Sequence, residues 1–118
     1  MKNKQRRKKI VVFGSRTFTD FERLSKELDN YPRFILLCGG ANGVDTLAEK
    51  YALEKQYLIK YFRPKYDKLG KGAPLIRNIE MAREADEGVC FWDGISPGTK
   101  HMLKQLVKYN VPYTIHRF

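Results

Sequence analysis

The sequence predicts a Rossmann-like α/β domain, in which about five parallel strands form a doubly wound sheet with helices on both faces. Short apolar runs rich in β-branched residues alternate with segments of helical periodicity, a pattern typical of a parallel sheet. Glycine-rich loops follow several of these runs, and no linker or repeat interrupts the 118 residues. This length and an apolar content of 42% suit a single domain with one core.

The apolar runs predict five strands, at residues 9–13, 34–38, 57–62, 88–92 and 111–116. Helical periodicity predicts four helices, at residues 19–30, from 44 onwards, at 73–85 and at 99–109. In the first helix, Thr19 and Glu22 have the spacing of a capping box. The second has the clearest period, with apolar residues at Val44, Leu47, Ala48, Tyr51 and Ala52. Residues 63–72 are predicted to be a loop, and right-handed crossovers favour the strand order 3-2-1-4-5.

Positive charge is concentrated at the amino terminus. The net charge is +10, and residues 1–9 hold six basic side chains and no acid. These are Lys2, Lys4, Arg6, Arg7, Lys8 and Lys9. Such a run is typical of a solvated leader, and its functional alternative is contact with nucleic acid or another polyanion. We therefore expect a basic leader at residues 1–9, followed by a single domain at residues 10–118.

The chain is expected to be cytoplasmic and to have no membrane partner. No apolar segment is long enough to span a bilayer, and the short run after the basic residues does not suit a signal peptide. Cys38 and Cys90 lie in or at the end of apolar runs, so reduced thiols are expected. The two cysteines and two histidines lack the spacing of metal ligands, and neither a metal site nor a cofactor is predicted.

The candidate binding residues collect in three loops that follow strands one, two and four. Because ligands of doubly wound sheets bind outside the carboxyl ends of the strands, these loops predict a site at one edge. Glycine backbone and helix amino termini suit phosphate, Arg16 adds a bidentate donor, and Asp45 suits a ribose hydroxyl. Taken alone, each residue also has a plain explanation as a turn, a cap or a surface charge. The candidate residues in these loops are Gly14, Ser15 and Arg16, then Gly39, Gly40, Gly43 and Asp45, and then Asp93, Gly94, Ser96, Gly98 and Thr99, with Trp92 at the end of strand four beside the last loop.

Other residues refine the predicted site. Arg77 and Asn78 open the third helix after a basic and aromatic loop, which suits a base and phosphates or is simply solvated. Trp92 either stacks on a base or caps the core. No G-x-G-x-x-G follows strand one, which argues against a standard dinucleotide dehydrogenase. The absence of G-x-x-x-x-G-K-[ST] argues against a P-loop NTPase.

These motifs, in this order, resemble the SLOG superfamily, and in particular its YspA-like or YAcAr branch. They are Gly14-Ser15-Arg16, Gly39-Gly40-Ala41 with Gly43-Val44-Asp45, Arg77-Asn78, and Phe91-Trp92-Asp93-Gly94 with Ser96, Gly98-Thr99 and His101. The resemblance implies a Rossmannoid fold related to the LOG phosphoribohydrolases and to the DNA-processing protein DprA. It also implies a role with nucleotides or nucleotide-derived ligands, in several cases linked to phage conflict.

The LOG enzymes carry a catalytic glutamate shortly after their glycine-threonine motif, and this sequence has Lys100 and His101 there instead. The resemblance therefore favours a binding protein over a hydrolase, with His101 left to take an acid–base or a binding role. Three functions follow from the sequence: a sensor or sequestering protein for a nucleotide-derived ligand, a phosphoribohydrolase-like enzyme, and a DNA- or RNA-binding protein that uses the leader. Related Rossmannoid domains often pair, so a homodimer is expected.

Overall fold

The structure is a computed structural model in which residues 7–118 are described, so residues 1–6 of the expected leader lie outside the description. Five parallel strands form one sheet in the order β3-β2-β1-β4-β5, which confirms the predicted fold class and strand order. The strands are β1 (Lys9–Gly14), β2 (Ile35–Cys38), β3 (Ile59–Tyr61), β4 (Glu87–Trp92) and β5 (Tyr113–Arg117).

Each connection between consecutive strands contains a helix, as the alternating pattern predicts. The helices are α1 (Phe21–Leu28), α2 (Val44–Lys55), α3 (Tyr66–Leu69), α4 (Ala73–Glu84) and α5 (Pro97–Lys108), with a 3-10 turn at Gly70–Gly72. Within residues 7–118, no helix has the length and apolar character that a bilayer span requires.

The core lies in two layers because successive side chains of a strand point to opposite faces of the sheet. In β1, Ile10 and Val12 pack on the face covered by α1 and α2, whereas Val11 and Phe13 pack on the face covered by α4 and α5. All four side chains are buried. Cys38 and Cys90 are buried in opposite layers as free thiols. Burial raises the pKa of Cys38 to about 11 and that of Cys90 to about 12.

Two local predictions are wrong. The first helix is capped by Asp20, whose carboxylate accepts a hydrogen bond from the backbone N–H of Arg23 at 3.0 Å, so Thr19 is not the cap. The predicted loop at residues 63–72 contains α3, whose first turn closes on the carbonyl oxygen of Lys65. The side chains of Tyr66 and Leu69 are exposed in this turn. The sequence here therefore lacks the repeated buried apolar positions from which a helix is predicted.

The loop after β2 is pressed against the loop after β1. Gly43 has a φ of +79°, and a β-carbon there would lie 2.6 Å from the α-carbon of Arg16 and would collide with the carbonyl oxygen of Ser15. The same carbonyl oxygen accepts a hydrogen bond from the backbone N–H of Val44, the first residue of α2. Glycine at position 43 therefore allows α2 to begin directly against the end of β1.

We expect the substitution Gly43→Ala to destabilise the fold by at least about 2 kcal/mol, because it combines a disfavoured φ with a backbone collision. Urea denaturation measures the change. Gly72→Ala is the matched control, since its β-carbon would meet no atom within 4 Å and its φ is −80°. The control should lie within about 1 kcal/mol of the natural protein. Equal losses in the two variants would contradict the proposed contact.

Candidate functional site

A cavity of about 420 Å³ opens where β1 ends and where α4 and α5 begin. Its position outside the carboxyl ends of the strands is the one that the fold predicts for a ligand. Eight of the predicted site residues line it, namely Gly14, Arg16, Asp45, Arg77, Asn78, Ser96, Gly98 and Thr99. The other eight are nearby or support these residues, and the ligand role of all sixteen remains a prediction.

The amino terminus of α5 forms one end of the cavity. Pro97 is the first residue of the helix, so the N–H groups of Gly98 and Thr99 are the first donors of its opening turn, where a helix provides no acceptor. Ser96 is the N-cap residue but makes no side-chain hydrogen bond to this turn. Thr99 is only 5% exposed and also lines the cavity. Arg16 is exposed and brings a positive charge to the same cavity.

The loop after β4 is stabilised by hydrogen bonds between its own residues. The carboxylate of Asp93 accepts hydrogen bonds from the backbone N–H groups of Ile95 and Ser96, each at 2.9 Å, and from the hydroxyl of Ser96 at 3.0 Å. These donors, the backbone N–H groups first, lower the pKa of Asp93 to about 2. Trp92 donates from Nε1 to the carbonyl oxygen of Ser96 at 3.3 Å. Trp92, Asp93 and Gly94 therefore shape the loop, and none of the three lines the cavity.

Ser15 also lies outside the lining, although it is completely buried beside it. Its hydroxyl oxygen accepts a hydrogen bond from the backbone N–H of Asp93 at 2.9 Å and lies 3.1 Å from the hydroxyl oxygen of Ser96. These contacts join Ser15 to the loop after β4.

Asp45 and Arg77 face each other across the next part of the cavity. Asp45 is 5% exposed, and its carboxylate accepts a hydrogen bond from the backbone N–H of Ala41 at 3.2 Å. Burial raises its pKa to about 6, although the Ala41 N–H and the positive charge of Arg77 oppose that rise. Arg77 also donates from Nη1 to the carbonyl oxygen of Gly39, so Gly39 acts through its backbone. Gly40 is exposed and has a φ of +78° in the same turn.

A polar chain continues from Arg77 along α4 to α5. Arg77 Nε donates to Oδ1 of Asn78 at 3.0 Å, and Nδ2 of Asn78 lies 3.1 Å from Nδ1 of His101. His101 is outside the cavity lining. Its pKa is lowered, first by burial and then by the positive charge of Lys104. The structure thus brings together Arg77, Asn78 and His101, which the sequence predicted as separate motifs.

Sequence reasoning missed the apolar wall of the cavity. It consists mainly of Phe13, Pro74, Leu75, Met81 and Met102. Phe13, Met81 and Met102 also belong to the core layer beneath α4 and α5. Their spacing in the sequence therefore indicates only a buried strand and buried helix faces, and a cavity beside them cannot be predicted from it. The wall gives the site an apolar side opposite its polar loops, as is common in small-molecule sites.

A second, shallower groove of about 690 Å³ lies between β3 and α4. It contains Lys9, Lys60 and Glu84, and both lysines form ion pairs with that one carboxylate, at 3.3 and 2.7 Å. Its charges are therefore partly neutralised, and it lacks the open helix terminus and the glycine loops of the first cavity. Within the described part of the chain, no group of three or more metal-binding side chains is present.

The strand order and the cavity at the carboxyl ends of the strands define a Rossmann-like α/β protein. Residues 8–68 match the YspA, cpYpsA-related SLOG family (YAcAr), and the chain belongs to that family. The resemblance seen in the sequence motifs is thereby confirmed.

Among solved structures, the X-ray structure of DNA processing protein A (DprA) from Streptococcus pneumoniae is similar to this chain, with a TM-score of 0.72 and 18% sequence identity. The match covers 92% of this chain and 50% of that structure, so the chain spans about half the length of the protein it matches. At this identity the similarity concerns the fold. A comparison with curated proteins finds no match.

We expect Asp45→Asn to stabilise the protein at pH 7.5, because it removes a buried charge. The pKa of Asp45 is raised by folding from 3.8 to about 6, so the folded state loses stability as pH rises through this window. The gain from the substitution should therefore be small at pH 4 and reach about 1–3 kcal/mol at pH 7.5. Urea denaturation at the two pH values measures it. An equal loss of stability at pH 4 and at pH 7.5 would contradict the burial of an ionised carboxylate.

Proposed function

We propose that this chain is a cytoplasmic protein that binds a nucleotide or nucleotide-derived ligand in the cavity at the carboxyl edge of the sheet. Its role would be to sense or sequester that ligand in phage–host conflict, a setting that the resemblance to the SLOG superfamily supports. The observation that carries the proposal is the amino terminus of α5, which has no side-chain cap and lines the cavity together with the buried residue Thr99.

The polar end of the cavity suits a phosphate group. Backbone N–H groups at a helix amino terminus and the helix dipole both favour an anion. Arg16 adds a guanidinium that can donate two parallel hydrogen bonds to phosphate oxygens. Thr17 and Thr99 also line this cavity, and a threonine hydroxyl is a donor that can rotate toward a ligand.

The remainder of the cavity suits a nucleoside. The wall formed by Met81, Met102 and Leu75 offers polarizable and apolar surface to the face of a base. Asp45 is the one acid that lines the cavity within residues 7–118, and its carboxylate suits a ribose hydroxyl. A phosphate, a sugar and a base thus each find a matching surface, in a volume within the usual range for small-molecule sites.

A hydrolytic enzyme is the main rival. Near its amino terminus, α5 has Lys100 and His101 where a LOG-like enzyme has its glutamate. Both nitrogens of His101 face amide side chains, those of Asn78 and Gln105, and His101 does not line the cavity. These observations favour binding without cleavage.

Thermal unfolding in the presence of candidate ligands tests the proposal. The panel contains nucleoside mono-, di- and cyclic phosphates and ADP-ribose derivatives, and chromatography follows the fate of each. A ligand at one hundred times its dissociation constant should stabilise the fold by about 2.7 kcal/mol. A higher melting temperature with intact ligand supports binding, whereas release of the base supports the enzyme. No shift with any nucleotide, together with salt-sensitive DNA binding that needs residues 1–9, would reject the proposal in favour of a nucleic-acid-binding protein.

We expect Arg16→Ala to weaken nucleotide binding by about 10- to 100-fold, the effect of losing a charged hydrogen-bonding partner. The fold should be unaffected, since Arg16 is exposed and forms no ion pair within the described residues. Isothermal titration calorimetry measures the affinity. Arg83→Ala is the matched control, because Arg83 is an exposed arginine outside the cavity. Natural affinity in Arg16→Ala would remove Arg16 from the site.

A further inference from the structure

The side chains of Arg77, Asn78, His101 and Gln105 form a polar chain that runs from the cavity into the contact between α4 and α5. Arg77 lines the cavity at one end, where it also bonds to the carbonyl oxygen of Gly39. Gln105 closes the other end, with its amide nitrogen 3.4 Å from Nε2 of His101. Only Arg77 and Asn78 of the four touch the cavity, so the chain links the site to a more distant histidine.

The chemistry of each member gives the chain a direction. Arginine can only donate, so Oδ1 of Asn78 must accept from Arg77 Nε at 3.0 Å. The amide group of Asn78 then presents its N–H groups to Nδ1 of His101, 3.1 Å away. Nδ1 must therefore be the unprotonated acceptor of a neutral imidazole, and the ring proton must lie on Nε2.

Gln105 agrees with this assignment. Its Oε1 is buried and has no hydrogen-bond donor when Nε2 faces the histidine. The two orientations of an amide have the same shape, and the alternative one places Oε1 where the Nε2–H of His101 can donate to it. A neutral imidazole with its proton on Nε2 is thus the form that suits both amide neighbours.

We propose that His101 is a positioning residue that holds Arg77 in the cavity through Asn78, and that protonation of His101 releases Arg77 and weakens binding of the ligand. Only the effect on ligand binding rests on the proposed function. Protonated His101 carries N–H on both ring nitrogens, so Asn78 must turn its Oδ1 toward the ring to accept from Nδ1. That turn places the amide N–H groups against Arg77 Nε–H, and two donors then face each other.

The charges around this chain favour the neutral histidine at rest. Burial lowers the pKa of His101, and the positive charge of Lys104 on α5 lowers it further. The switch should therefore operate at a pH below the ordinary value of 6.5. Asp45 lies beside Arg77 and has a pKa near 6, so its titration must be separated from that of His101.

NMR spectroscopy of the ligand-free protein tests the coupling directly. The ¹⁵N shifts of the His101 ring report its tautomer, and the Nε–H resonance of Arg77 reports its hydrogen bond. We expect the Nε2–H tautomer at pH 7.5 and a step in the Arg77 resonance at the midpoint of His101 as the pH falls to 5. An Nδ1–H tautomer, or an Arg77 resonance with no step at that midpoint, would overturn the proposal.

Two histidine variants provide the controls. His101→Asn places an oxygen near the position of Nδ1 and cannot titrate, so it should keep Arg77 in its pH 7.5 position and lose the step of His101. A step in the Arg77 resonance that is due to Asp45 remains in the natural protein and in His101→Asn, and it is recognised by its presence in both. His116→Asn changes the only other histidine, which lies 3.7 Å from Glu27 at the edge of the sheet, and it should keep the His101 step. Persistence of that step in His101→Asn would refute the coupling.

The effect of His101 protonation on ligand binding is measured with AMP as the probe. If binding lowers the pKa of His101 by one unit, the affinity of the natural protein falls about ten-fold below the His101 midpoint relative to His101→Asn. Comparing these two proteins cancels the titrations of Asp45 and of the AMP phosphate. Equal pH profiles would overturn the effect on binding. If AMP does not bind at all, the proposed function fails for this nucleotide, while the NMR titration still decides whether His101 positions Arg77.

Discussion

Ser15 joins the three loops on which the candidate site depends, and it does so while completely buried. Its backbone N–H donates to the carbonyl oxygen of Phe91 at 2.9 Å, and its hydroxyl oxygen accepts from the N–H of Asp93 at the same distance. Its carbonyl oxygen accepts from the N–H of Val44, against which Gly43 leaves no room for a side chain. One small residue therefore fixes the ends of β1 and β4 and the start of α2 relative to one another, and buried polar groups that are satisfied in this way specify a single arrangement.

This arrangement also determines what remains available to a ligand. Ser96 is the cap residue of α5, but its hydroxyl is directed to Asp93 and Ser15, so the first turn of the helix stays without a side-chain cap. Caps usually stabilise a helix by about 1 kcal/mol, and an end without one is free to receive an external anion. On the opposite side, Asp45 is buried with a raised pKa beside Arg77, which indicates that some stability is given up for a charge in the cavity. The loops thus use their own polar groups to hold the frame and leave backbone donors to face the cavity.

Much of the fold and the location of the cavity could be predicted from the sequence. The parallel order followed from alternating elements, and the edge at which the cavity lies followed from the glycine loops after β1, β2 and β4. Which predicted residues line the cavity and which stabilise its loops could not be predicted from the sequence. An aspartate such as Asp93 can accept hydrogen bonds either from its own loop or from a ligand, and only the structure shows which donors it has. The helix at residues 66–69 also escaped prediction, since a four-residue turn with exposed Tyr66 and Leu69 has no apolar period.

By itself, the sequence determined the class of the fold, the strand order and the edge at which polar residues collect, because periodicity and turn chemistry are local properties of the chain. Tertiary structure alone decided which of those residues reach the cavity. The apolar wall around Met81 and Met102 and the polar chain from Arg77 to His101 join residues that are distant in sequence. Those contacts depend on how α4 and α5 pack together over the sheet, and side-chain distances across such a packing cannot be obtained from spacing along the chain.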